Sequence, residues 1–145
     1  MKVIRYLNLE GEMRFAQHQE DGPPLAIINR ADHFEVTDQP AEVSRQLFPV
    51  DLRMIYGVGL NYRAHAEETG KSPPDHPMIF MKPVSSLLDP GGDIILPRKL
   101  TSSKVDFEGE LAVIIGKECK NVSRGTALDY VSGYTIANDV SARDW

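Results

Sequence analysis

The sequence predicts a mainly β fold of the α+β class. A small β-rich N-terminal module is expected over residues 1–50, followed by a larger strand-rich region over 51–145. Three observations lead there. Apolar runs of strand length recur between Gly and Pro breaks from the N-terminus onward. Helix signals are confined to three short segments. The longest apolar run, Val105 to Gly116, reads as a buried strand but carries two carboxylates two residues apart.

In the first module, Lys2 to Leu7 is strand-like and Gly11 turns the chain into Met13-Arg14-Phe15-Ala16. Gly22-Pro23-Pro24 then breaks it before Leu25-Ala26-Ile27-Ile28. Residues Ala41 to Leu47 have the composition of a short helix closed by Pro49. Beyond Pro49, Met54 to Leu60 is an apolar strand with alternating glycines at Gly57 and Gly59, a mark of close approach by another backbone or a ligand. Asn61 is placed to cap a helix from Tyr62 to about Thr69, with Gly70 as its stop. A Pro-rich loop, Lys71 to Pro77, precedes the strand Met78 to Met81, which ends at Lys82-Pro83. Asp89-Pro90-Gly91-Gly92 signals a turn before a short strand from Asp93 to Leu96. After Gly116, Ser123 is a plausible cap for a short helix through Val131. Tyr134 to Ala137 resumes a strand that ends at Asn138-Asp139.

A chain of 145 residues holds one domain, or one with a small appendage. Its net charge of −5, without a run of Lys or Arg, argues against nucleic acid as a partner. A single cysteine, Cys119, excludes an intramolecular disulfide and a thiolate cluster. No apolar run has membrane-spanning length and no basic-then-apolar leader opens the chain, so a cytoplasmic protein without a membrane partner is expected.

Within Val105–Gly116, strand geometry projects Glu108 and Glu110 side by side on one face, ahead of Ala112 and Ile114. Two like charges on a partly apolar face cost several kcal/mol unless compensated. A hard divalent cation with oxygen ligands is one compensation; an exposed edge strand with solvated glutamates is the plain alternative. Asp139 adds a third carboxylate just after a strand. On the helix after Asn61, His65 and Glu68 stand at i, i+3 and share a face. A carboxylate beside an imidazole suits a general base, and a surface ion pair is its alternative. Lys82, at a strand end before Ser85-Ser86, is a candidate anion contact or a solvated charge. His18 and His33 have no companion ligand at a sensible spacing, and His76, between Asp75 and Pro77, is expected to face solvent.

Taken in order, four motifs resemble the fumarylacetoacetate hydrolase family: Gly59-Leu60-Asn61-Tyr62 with His65 and Glu68; Ile79-Phe80-Met81-Lys82-Pro83; Asp106-Phe107-Glu108-Gly109-Glu110-Leu111-Ala112; and Gly133-Tyr134-Thr135 with Asn138-Asp139-Val140-Ser141-Ala142-Arg143-Asp144. The resemblance runs from about Leu47 to Trp145 and is loose over residues 1–46. It implies the family's mixed β-roll, incomplete at the C-terminus, because relatives continue for roughly as many residues again. It implies Glu108, Glu110 and Asp139 as ligands of Mg²⁺, with Mn²⁺ or Ca²⁺ as alternatives. His65 and Glu68 fall on its catalytic dyad, and Lys82 and Arg143 on substrate-binding positions. Ala64 departs from the Asp that many relatives carry before the histidine.

The implied activity is hydrolysis of a C–C bond in a small 2-oxo or 1,3-dioxo acid, of the kind met in aromatic catabolism. The family alternatives are decarboxylation, isomerisation and hydration. Other readings are a truncated metal-binding domain without turnover, and a binding module whose acidic strand faces water. A homodimer, or a complementary C-terminal half, is the expected partner.

Overall fold

A computed structural model describes residues 1–30 and 33–145. The chain is mostly β, with 38% of residues in strands and 9% in helix. It divides into two compact units, Met1–Gly92 and Asp93–Trp145.

The first unit opens with a five-stranded sheet. Its strands are β1 (Val3–Leu7), β2 (Met13–Gln17), β3 (Leu25–Asn29), β4 (Phe34–Pro40) and β5 (Arg45–Leu47), in the order β4-β3-β2-β1-β5. Every pairing is antiparallel. The β1–β2 turn is fixed by Asn8, whose Oδ1 accepts the Glu12 N–H at 2.7 Å while Gly11 takes the left-handed conformation at φ 80°. Tyr6, Ala16, Ile27 and Leu47 are the buried apolar residues of this sheet. The guanidinium of Arg5 lies over the Phe48 ring, 5.2 Å from its centroid.

The helix expected over Ala41–Leu47 does not form. Its C-terminal half is β5, paired to β1 with Leu47 opposite Arg5. The Ser44 N–H is held by Leu7 O at 2.9 Å. Pairing with a neighbouring strand satisfies the backbone and buries Leu47, which outweighs a weak local helix preference.

The rest of this unit is a two-stranded antiparallel sheet of β6 (Ile55–Gly59) and β7 (Met78–Lys82), joined through helix α1 (Arg63–Glu68). Gly57 is buried because the Phe80 ring lies across it: a Cβ there would stand 2.1 Å from Phe80 Cζ. The expected Asn61 cap is displaced by one residue. Tyr62 occupies the N-cap position and supplies no side-chain bond, after Leu60 has adopted φ 51°. The C-terminal stop forms as expected. Gly70, at φ 65°, donates to Glu67 O, and Lys71 donates to Ala66 O at 2.9 Å, the paired bonds of a Schellman motif.

The second unit contains β8 (Val105–Asp106), β9 (Gly109–Ile115), β10 (Val131–Asn138) and β11 (Ser141–Ala142). β9 pairs with β10 and β8 with β11, both antiparallel. The run from Val105 to Gly116 is therefore two strands, not one. At the break, Asp106 Oδ1 accepts the Phe107 N–H at 3.0 Å and Asn138 Oδ1 accepts the Glu108 N–H at 3.1 Å. Side chains there take the N–H groups, while the Glu108 carbonyl still accepts from the Asp139 N–H at 2.9 Å. The strand expected from Asp93 to Leu96 is irregular, and Ile94, Ile95 and Leu96 are exposed. The helix expected from Ser123 shortens to a 3₁₀ turn over Ala127–Tyr130, since Ser123 Oγ bonds Thr126 Oγ1 at 2.9 Å rather than capping. No described helix is long and apolar enough to cross a membrane.

Candidate functional site

The acidic site is built by the register of β9 against β10. Ala137 stands opposite Glu110 and Asn138 opposite Gly109. The next pair in that series is Asp139 with Glu108, and the Asp139 N–H donates to Glu108 O at 2.9 Å. Residues directly opposite across an antiparallel pair share a face, and diagonal neighbours remain within reach of long side chains. Glu108, Glu110 and Asp139 therefore have neighbouring backbone positions at one end of one face. All three are half-buried, while Phe107, Gly109, Leu111 and Asn138 between them are exposed. The alternation read from the sequence thus survives the break in the strand.

The carboxylate of Glu108 is held by two partners that spacing alone did not reveal. Ser141 Oγ donates to Glu108 Oε1 at 2.6 Å, and Arg143 Nη2 lies 3.3 Å from the same oxygen. Arg143 Nε also approaches Asp106 Oδ2 at 3.4 Å. Arg143, expected as a substrate contact, is thus ion-paired across two carboxylates. Among the described residues, no three His, Cys, Asp or Glu side chains converge on one point. The backbone gathers the acidic trio, and Ser141 and Arg143 hold Glu108 within it. The donors offered are carboxylate oxygens, the set that suits a hard divalent cation rather than a soft one.

Asp144 closes the same segment. Its carboxylate accepts from the hydroxyl of Ser102 and from the Ser103 N–H at 3.0 Å, tying the loop before β8 to the end of the chain. These bonds, that from Ser102 foremost, hold its pKa below the usual carboxylate value. The signal for Ser141 and Asp144 lay in the motif Asn138-Asp139-Val140-Ser141-Ala142-Arg143-Asp144, where polar residues recur on both sides of a two-residue strand.

In the first unit, His65 and Glu68 are adjacent on α1 as their spacing requires, with Nδ1 and Oε2 3.9 Å apart. His65 is partly buried, whereas Glu68 is exposed. Lys82 is half-buried at the end of β7. Cys119 is a free, exposed thiol.

The chain is thus mostly β, with three carboxylates at one end of a strand pair and a His–Glu pair on a helix of the first unit. The family model for the fumarylacetoacetate (FAA) hydrolase C-terminal domain matches residues 54–145, and the chain belongs to that family. Protein Rv2993c of Mycobacterium tuberculosis is 47% identical over 152 residues, covering 99% of this chain and 57% of its own. The fumarylacetoacetate hydrolase domain-containing protein 2 homolog of Dictyostelium discoideum is 42% identical over 119 residues, covering 82% and 38%. The crystal structure of 5-carboxymethyl-2-hydroxymuconate delta-isomerase from Mycobacterium smegmatis superposes with a TM-score of 0.77 at 39% identity. It matches 99% of this chain and 56% of that one. The chain thus spans about two fifths to three fifths of the length of these relatives.

Proposed function

We propose that the chain contributes the metal-binding strands of an enzyme that cleaves a C–C bond in a small 2-oxo or 1,3-dioxo acid by hydrolysis. The observation that carries this reading is the β9–β10 register, which sets Glu108, Glu110 and Asp139 at one end of one face. These three residues would hold Mg²⁺, or Mn²⁺ or Ca²⁺ in its place. A divalent cation bound there would polarise the substrate carbonyl and stabilise negative charge developing on its oxygen. The chain's own residues do the rest. Ser141 and Arg143 fix the direction of the Glu108 carboxylate. His65, oriented by Glu68, accepts the proton of the attacking water at an imidazole nitrogen and returns it to the carbon released. Lys82 offers its ammonium to the acid's carboxylate.

Isomerisation of a double bond in the same type of acid is the second reading. It is favoured by the similarity to a delta-isomerase of 5-carboxymethyl-2-hydroxymuconate. Calorimetric titration with Mg²⁺ and Mn²⁺ tests the metal site: binding is expected for the wild type and lost in Glu108→Ala/Glu110→Ala. Equal, null heats for both proteins would remove the metal from this reading. Assays with acylpyruvates and with hydroxymuconate-type acids then separate hydrolysis from isomerisation, and rates unchanged by His65→Ala would withdraw His65 from its role.

A further inference from the structure

The Ser141 hydroxyl and the Arg143 guanidinium hold the Glu108 carboxylate, yet the strand that carries them is weakly attached. β8 and β11 share two residue pairs only, Ser141 with Asp106 and Ala142 with Val105. So short a ladder is marginal by itself. The contacts of the Arg143 side chain are no tighter. Its Nε lies 3.4 Å from Asp106 Oδ2 and its Nη2 3.3 Å from Glu108 Oε1, with the side chain 39% exposed. Charge-assisted bonds that fix a guanidinium are about 2.7–2.9 Å long, and ion pairs this exposed hold little. The position of Arg143 must therefore come from its backbone.

That backbone is closed into a ring of hydrogen bonds by the next residue, Asp144. Its Oδ1 accepts from the Ser102 hydroxyl, and its Oδ2 from the Ser103 N–H at 3.0 Å and the Ser103 hydroxyl at 3.4 Å. Ser102 Oγ in turn accepts the Lys104 N–H at 3.2 Å, and Lys104 O accepts the Arg143 N–H at 2.9 Å. The ring runs from Asp144 through Ser102 and Lys104 back to Arg143. Among the described residues, the Asp144 carboxylate forms no bond to Glu108, so it can act there only through its neighbour. We propose that Asp144 is a positioning residue: by tying residues 102–104 to Arg143 it keeps the guanidinium between Asp106 and Glu108, and with it the direction of the Glu108 carboxylate. The consequence for a bound cation rests on the proposed metal reading; the placement of Arg143 does not.

Heteronuclear NMR relaxation on the metal-free, 145-residue chain tests it. In the wild type the order parameter of the Arg143 Nε–H should exceed that of Arg124, an exposed arginine of the same unit. In Asp144→Ala the Arg143 value should fall to that of Arg124, below about 0.6, while backbone amides of β9 and β10 keep theirs. Ser102→Ala keeps the carboxylate and its bond from the Ser103 N–H. It should give an intermediate value, and it decides alone if Asp144→Ala does not fold. Mn²⁺ affinity supplies the second readout. Asp144→Ala should shift it in the same direction as Arg143→Gln, by about threefold or less. The double variant should shift it no further than Arg143→Gln alone, because residues that act through one another are not additive. An unchanged Arg143 order parameter, a fall shared by the backbone of β9 and β10, or additive shifts in affinity would overturn the proposal. A wild type that binds no Mn²⁺ would instead remove the metal reading, and the order parameters would still decide this one.

Discussion

Glu108 shows how a single side chain is claimed by several neighbours at once. Its carboxylate accepts from the Ser141 hydroxyl and pairs with Arg143, while its backbone carbonyl closes the ladder with Asp139. The two side-chain partners should act in opposite directions on cation binding. Ser141 orients the oxygen without contributing charge, so Ser141→Ala should weaken Mg²⁺ or Mn²⁺ binding by about tenfold, as loss of an outer hydrogen bond to a ligand commonly does. Arg143 is itself a cation on Glu108 and Asp106, so Arg143→Gln should leave more negative charge and tighten binding by about threefold. Calorimetry on both variants reads the signs, and two shifts in the same direction would refute this division of labour. The glutamates were legible from their i, i+2 spacing. Ser141 and Arg143 were not assigned to Glu108, because they reach it across 33 and 35 positions of sequence through strand pairing that no local pattern encodes.

At the level of elements, local chemistry predicted what local chemistry decides. The strands β1, β2 and β3 followed from apolar runs separated by Gly11 and by the Gly22-Pro23-Pro24 break, and the Gly70 stop followed from its tolerance of positive φ. The errors share one cause. Arg45–Leu47 became a strand because β1 offered it a pairing edge, and Val105–Gly116 split because Asn138 substituted a side chain for a ladder bond. Ser123 turned to Thr126 instead of a helix end. In each case a partner distant in sequence, or a competing side chain, outweighed a modest intrinsic preference. Gly57 was expected to face another backbone or a ligand, and the group that lies against it is the side-chain ring of Phe80. Gly57→Val forces the Phe80 ring from its place and should destabilise the β6–β7 pair by about 1–3 kcal/mol. Gly125→Ala meets nothing within 4 Å and should be close to neutral. Thermal unfolding of the two variants checks the contrast, and equal midpoints would show that the ring moves aside without cost.

Across the whole molecule, burial is distributed unequally. The five-stranded sheet encloses Tyr6, Ala16, Ile27 and Leu47, whereas residues 93–145 bury nothing and still carry the acidic trio. Opening free energy follows local burial, since a segment that shields little apolar surface loses little when it separates. Backbone amides of β9 and β10 should therefore exchange with solvent at least about tenfold faster than those of β1, β2 and β3 in the chain alone, a ratio equivalent to about 1.4 kcal/mol of opening free energy. Hydrogen exchange followed by mass spectrometry on peptides covering 3–17 and 109–138 measures it directly. On the proposed reading a divalent cation held by Glu108, Glu110 and Asp139 would join the two strands at one end, so saturating Mg²⁺ or Mn²⁺ should slow exchange in the second peptide and leave the first unchanged, by the ordinary linkage of binding to stability. Equal protection in the two peptides would mean that the second unit draws stability from something other than its own burial. A metal-induced slowing in both peptides would mean that the two units open together.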